Sequence, residues 1–233
     1  MKTMREPQQK PSIEKRTKIL EAAFTLFYEK GFENTNTAAI AQHAGGLEIM
    51  GKKLSEMSLE ELWQLFPIYL TEYQDCWSKW YEEEQNILET ILPAKLGLQV
   101  YHIGSTAIHG IWAKPIIDIL IEIPNAATLI IVKELMIKNG YICMSDSDKR
   151  ISLNKGYTEK GFAERVFHIH LRLLNDKDEI YFRDYLNEHT EIAEAYKNLK
   201  LNLWKKYEHD RDRYTAEKTE FVNKYTRLAK ESL

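Results

Sequence analysis

Tyr101-His102-Ile103-Gly104-Ser105-Thr106, followed by Lys114-Pro115-Ile116-Ile117-Asp118-Ile119, decides the reading of this chain. An apolar strand ends in a Gly-Ser turn, and a second apolar strand then delivers a single carboxylate. Glycine lets the backbone approach a phosphate closely, and successive turn N–H groups form a concavity for anions. A Gly-Ser turn alone carries little information. Its weight comes from Asp118, with twelve residues between it and Ser105. An unpaired carboxylate on an apolar strand is costly, so Asp118 requires a metal ion, a cation or several hydrogen-bond donors. An ion pair with Lys114 or an arginine would satisfy it too.

Phosphoryl and nucleotidyl transfer ordinarily uses two divalent ions, which neutralise charge on the attacking and leaving oxygens. Magnesium takes oxygen ligands from more than one carboxylate. A second carboxylate on the Asp118 face belongs two residues on, and that position is Leu120. Glu122 shares the face but lies roughly 13 Å along the strand at ~3.3 Å per residue. The pair His168-Ile169-His170 offers a substitute, because alternation puts both imidazoles on one side of a strand. Two such histidines bind a transition metal or move protons, and His102 is a candidate third member. Imidazole suits manganese or zinc better than magnesium. The bland alternative has one histidine structural and the other lining a polar cleft.

Cations for a triphosphate are available in Lys114, Arg165, Arg172, Arg183, Lys200 and Lys218. Arg183 and Lys218 stand out because aromatic residues flank both, which buries part of their stems.

Around this stretch the pattern predicts strands over 98–103, 115–123, 141–144, 150–154 and 165–173. Helices are expected over 72–92, 126–139 (closed by Gly140), 181–188, 191–207 and 215–228. Ser58 with Glu61 makes a capping box ahead of another helix, which Pro67 interrupts. The acidic run Glu82-Glu83-Glu84 reads as a solvated helix face. Both kinds of element, with helices gathered at the two ends, suggest a mixed sheet covered by helices.

The formal net charge of −3 gives no global attraction to nucleic acid, so DNA is not an expected partner. Only Cys76 and Cys143 occur, without metal-ligand spacing, which fits a reducing cytoplasm. No apolar run approaches the ~20 residues of a membrane span, and the N-terminus has no signal-peptide core. A cytoplasmic protein without a membrane partner is expected, of unknown oligomeric state.

Arg16-Thr-Lys-Ile-Leu-Glu-Ala-Ala-Phe-Thr-Leu-Phe-Tyr-Glu-Lys-Gly-Phe32, then Ile40-Ala41 and Ala44-Gly45, resembles the start of TetR-type DNA-binding domains over about residues 13–45. Ile19, Leu20, Ala23, Phe24, Leu26 and Phe27 supply its helical period, Gly31 its stop, and 38–43 a second short helix. The continuation Gly46-Leu-Glu-Ile-Met-Gly-Lys-Lys53 does not match the family's recognition helix, and bases are read by that helix.

From about residue 50 onward the chain resembles the GrpB family. The carrying motifs are His102-Ile-Gly-Ser-Thr-Ala107, the run 110–119, Gly161-Phe-Ala-Glu-Arg-Val-Phe-His-Ile-His-Leu171, Tyr181-Phe-Arg-Asp-Tyr-Leu186 and Tyr214-Thr-Ala-Glu-Lys218. The family more often has proline at the position of His109. The resemblance implies an α+β, nucleotidyltransferase-like fold, a mixed β-sheet flanked by helices, here with a short all-α N-terminal extension over 1–49. It implies no settled substrate, and Leu120 at the usual second carboxylate looks like a trait of the family.

Together these readings give a nucleotidyltransferase-like protein that binds a nucleoside triphosphate and magnesium or manganese. Asp118 with His168 or His170 would be catalytic, and Asp118 and His170 would hold the metal. Gly104, Ser105, Thr106, Lys114, Arg183 and Lys218 would contact the nucleotide. The nucleotidyl acceptor would be a small molecule or a protein. The alternatives are a nucleotide- or ligand-binding module without catalysis, and a TetR-like regulator.

Overall fold

The apolar runs around Asp118 and His168 pair as the two central strands of a five-stranded sheet. The computed structural model describes residues 20–26, 39–40, 43 and 53–232. The chain divides into two compact units, Met1–Leu65 and Phe66–Leu233.

In the first unit, residues 20–26 are helical and bury Ala22 and Leu26, one turn apart. Leu20 and Phe24, expected on the buried stripe, are exposed. Helix α1, Leu59–Leu65, begins at the expected capping box. The Ser58 N–H donates to Glu61 Oε2 at 2.8 Å, and the Glu61 N–H donates to Ser58 Oγ at 3.2 Å. The Gly31 stop and the turn after residue 45 lie outside the described residues, as does most of the stretch resembling TetR-type domains.

The second unit runs α2 (Cys76–Ile91), β1 (Gln99–Ile103), β2 (Ile116–Ile123), α3 (Ala126–Lys138), β3 (Ile142–Asp146), β4 (Arg150–Thr158) and β5 (Gly161–Leu173). Helices α4 (Asp178–Glu188), α5 (Thr190–Tyr207), α6 (Arg211–Ala216) and α7 (Thr219–Glu231) complete it. The sheet order is β1-β2-β5-β4-β3. β2 and β5 run parallel, and the other neighbours are antiparallel. This is the α+β architecture expected, a mixed sheet flanked by helices.

Alternation along β2 and β5 sorts the two faces. Ile117, Ile119, Ile121 and Ile123, with Phe167, Ile169 and Leu171, pack with Trp77, Leu88, Leu129, Val132 and Met136 of α2 and α3. The other face carries Asp118, Leu120, His168 and His170. There Leu120 packs with Ile103 and Ile180, and further aromatic packing joins α4, α5 and α7. Helix α3 is fixed at both ends. Asn125 Oδ1 accepts from the Thr128 N–H, and after Gly140, at φ +88°, the Tyr141 N–H returns to the Met136 carbonyl.

Two expectations need correction. The helix predicted over 215–228 is two helices, because Asp210 caps α6 early through the Arg213 N–H and the chain breaks at Glu217–Lys218 before α7. The run at 82–84 is not all solvated. Glu84 is 2% exposed, and its carboxylate takes Lys155 Nζ at 2.8 and 2.9 Å and the Tyr141 hydroxyl. Removing Glu84 takes the shared acceptor from the Tyr141 hydroxyl and from Lys155, which is one-third exposed. Glu84→Ala is therefore expected to cost about 1–3 kcal/mol of unfolding free energy, measured by urea denaturation. A loss near that of an ordinary surface acid would contradict this role.

Candidate functional site

The register of the central strands builds the site. Asp118 pairs with His168 across β2 and β5, and Leu120 pairs with His170. Both imidazoles therefore flank the same carboxylate on the same face. His168 Nδ1 and His170 Nε2 each lie 3.2 Å from Asp118 Oδ1. On the other side, Ile103 pairs with Asp118, so the Gly-Ser turn that ends β1 sits directly above the carboxylate.

That closeness explains the glycine. Gly104 adopts φ +72°, and a Cβ there would lie 2.3 Å from Asp118 Oδ2. Any other residue would meet both a cost of about 1–3 kcal/mol for a backbone region that is essentially reserved for glycine and a collision with the half-buried carboxylate.

Each histidine is backed by a second group. The Tyr157 hydroxyl lies 2.8 Å from His168 Nε2, and Arg211 donates to the same hydroxyl at 3.2 Å. Arg172 Nη2 lies 3.4 Å from His170 Nδ1. A guanidinium can only donate, so His170 accepts at Nδ1 and turns an Nε2–H toward Asp118. A tyrosine hydroxyl donates or accepts, so Tyr157 can match either tautomer; while His168 donates from Nδ1 to Asp118, its Nε2 accepts from Tyr157.

Burial on its own would raise the Asp118 carboxyl. Hydrogen bonds from His168 and His170 more than reverse this and hold it well below the usual carboxylate range. Burial lowers His168 against the opposing pull of Asp118. Asp118 is thus ionised and its two histidine partners are its hydrogen-bond donors.

The carboxylate opens into a cavity of about 480 Å³ whose lining includes Gly104, Ser105, Lys114, Lys200 and Lys218. Burial lowers Lys114 to about 7, reinforced by Lys218 and Arg211 and opposed by Asp118. Burial lowers Lys218 to about 8. Tyr196 is pushed up to about 12 by burial, with a hydrogen bond to Ser105 opposing. The Tyr214 ring lies 4.3 Å from Lys218 Nζ and 5.7 Å from Lys114 Nζ.

Asp118, His168, His170, Gly104, Ser105, Lys114 and Lys218 therefore converge on one cavity. Three other expected residues do not. Thr106 is buried and bonds the Ile116 carbonyl and His102, while Arg183 donates to the His102 carbonyl at 2.6 Å and to Asp184. Both line a separate pocket with His109 and Asn187, Thr106 carried there by the turn after Gly104 and Arg183 by its place on α4. His102 pairs with Ile119, which puts it on the opposite face, stacked on Tyr81 with ring centres 4.8 Å apart.

Leu120 is fully buried in apolar contacts. Glu122 is 1% exposed and held by Lys177 at 3.2 Å and the Asn175 N–H. Neither completes a second metal position. Arg165 is taken by Glu83, and Arg172 by Glu179. Tyr157 and Arg211 escaped the sequence reading. Tyr157 follows the bulge at Gly156, where the β4–β5 register shifts, so strand alternation alone would not have placed it.

A model of the GrpB protein family matches residues 67–228. The chain belongs to the GrpB family. It is 32% identical over 162 residues to the glutamate-rich protein GrpB of Alkalihalophilus pseudofirmus, covering 67% of this chain and 92% of that one. It is 28% identical over 206 residues to protein YqkA of Bacillus subtilis, covering 86% of this chain and 55% of YqkA, so it spans little more than half of that relative's length. Among solved structures it is similar to the conserved protein GrpB from Enterococcus faecalis, with a TM-score of 0.61 at 30% identity, covering 70% of this chain and 98% of that one. A shorter match, over residues 19–46, is to the bacterial regulatory proteins of the tetR family. No helix among the described residues is long and apolar enough to cross a membrane.

Gly104→Ala should destabilise the protein by more than the backbone cost of about 1–3 kcal/mol, since Asp118 must also move. Thermal and urea unfolding would check this. An unchanged stability would mean that the turn does not press on the carboxylate.

Proposed function

We propose that this GrpB-family protein binds a nucleoside triphosphate and a divalent metal ion in the cavity beside Asp118, and transfers a nucleotidyl group to a small-molecule or protein acceptor. The observation that carries the reading is the meeting of one ionised carboxylate, two imidazoles and uncompensated lysines around a glycine turn. The family resemblance supports a nucleotidyltransferase-like assignment.

The donor set fits a metal of a particular kind. Asp118, His168 and His170 each offer a ligand atom, all within 4.8 Å of one another. One oxygen with two nitrogens suits manganese or another transition metal better than magnesium. Asp118 and His168 are the better pair of ligands. His170 could ligate through Nε2 only by moving its proton to Nδ1, which would face the donating Arg172. His170 then steadies the carboxylate by donating to it. The ion, when bound, would neutralise charge developing on the transferring phosphoryl group. Gly104 admits the phosphates close to the backbone, Ser105 offers a hydroxyl, and Lys114 and Lys218 supply positive charge.

The second reading is a binding module without transfer. Its support is Leu120, which fills the second carboxylate position with a fully buried apolar side chain. Both readings predict nucleotide binding, and only the first predicts release of pyrophosphate.

Thermal unfolding of the full chain with each nucleoside triphosphate, alone and with manganese or magnesium, tests the common part. The expected result is a metal-dependent rise in Tm, larger with manganese and lost in Asp118→Asn. No shift with any nucleotide would overturn the reading. Pyrophosphate release in the same mixtures separates transfer from binding alone.

A further inference from the structure

Three lysines that line the cavity have no carboxylate partner among the described residues. Lys200, on α5, is 2% exposed, yet its ammonium meets only the Trp112 carbonyl and the Tyr196 ring. Lys114 precedes β2, and Lys218 sits at the break before α7, each against Tyr214. Among the described residues, none of the three forms an ion pair.

The neighbouring charges do not make up the deficit. Asp118 is already shared by His168 and His170. Asp178 pairs with Lys230, Glu179 through Oε1 with Arg172, and Arg150 with Asp176. Arg211 adds another positive charge beside Lys114 and Lys218. Lys200 is buried and Lys114 and Lys218 are half-buried; ammonium groups so placed without a counter-charge are destabilising, and they repel one another. A ligand that supplies the missing charge relieves both penalties.

We propose that Lys114, Lys200 and Lys218 form one metal-independent socket for a condensed phosphate, a chain of linked phosphoryl groups carrying several negative charges. This rests on the proposal that the cavity takes a triphosphate, and it goes further. The socket acts on the phosphate chain itself, without the nucleoside and without the metal. It also adds Lys200, whose backbone-bonded ammonium lines the same cavity as the other two.

One consequence is specific to this arrangement. Burial first, then repulsion from Lys218 and Arg211 at Lys114, from Arg211 at Lys218 and from Lys218 and Lys114 at Lys200, holds Lys114 near 7, Lys218 near 8 and Lys200 well below its ordinary value. A polyanion favours the charged forms, so its arrival raises all three and draws protons in. Affinity is then greatest near neutrality and falls as pH rises through the unliganded values, by up to about tenfold per pH unit for each lysine. Tripolyphosphate carries at least as much negative charge at pH 9 as at pH 7, so this fall can only come from the protein.

Calorimetric titration of the full chain with inorganic tripolyphosphate in EDTA, at pH 7 and pH 9, tests the proposal. Pyrophosphate, orthophosphate and citrate serve as comparison anions. The expected result is binding without metal, at least about tenfold weaker at pH 9, with net proton uptake seen across buffers of different ionisation enthalpy. Tripolyphosphate should bind more tightly than orthophosphate or citrate. Binding should persist in Asp118→Asn and be lost in Lys200→Met. If Lys200→Met does not fold, Lys218→Met, at the helix junction, should show the same loss.

Equal affinity for orthophosphate or citrate would overturn the assignment to condensed phosphate. So would tripolyphosphate binding unaffected by the lysine substitutions. Absence of tripolyphosphate binding in EDTA, alongside manganese-dependent nucleotide binding, would sink the socket and leave the nucleotide reading standing. Metal-free tripolyphosphate binding with no nucleotide effect would do the reverse.

Discussion

The site depends on one carboxylate held in a tight space. Asp118 lies on a central strand, between two imidazoles of the parallel neighbour and beneath a turn that only glycine can make. Hydrogen bonds from His168 and His170 keep it ionised despite its burial. A one-residue slip of β2 against β5 would send these side chains to opposite faces, so the register that packs Ile117, Ile119 and Ile121 against the helices also assembles the site. Core and chemistry are specified by the same pairing.

Much of this was legible in the residues. Alternation put His168 and His170 on a common face, the apolar strand made Asp118 costly without partners, and the Ser58–Glu61 capping box appears with both its hydrogen bonds. Strand pairing was not legible. His102 looked like a third member of the imidazole group because sequence shows which residues of one strand share a face and says nothing of how two strands align. Thr106 follows the short turn after Gly104 into a different pocket, and the place of Arg183 depends on how α4 packs, which its flanking aromatic residues do not reveal. Glu84 read as solvated because its burial depends on the distant Lys155 and Tyr141. Lys200 was one lysine among many until α5 brought it to the cavity.

Electrostatics distinguishes this cavity from an ordinary cleft. Its acidic groups apart from Asp118 are taken by Arg172 and Lys230. The lysines are left with aromatic faces and a backbone carbonyl. Lysines and a metal-competent donor set therefore share one cavity. The fully buried Leu120 leaves the usual second-carboxylate position on β2 apolar, so Asp118 and the two imidazoles are the donors that the β2–β5 pair offers a metal ion.

The most direct test of the account is the position of a bound ion. Anomalous scattering at the manganese edge, from crystals of the full chain grown with manganese, would locate it. One strong peak is expected within coordination distance of Asp118 Oδ1 and His168 Nδ1, facing the cavity. A peak bound away from Asp118, or no peak in the cavity at all, would contradict it.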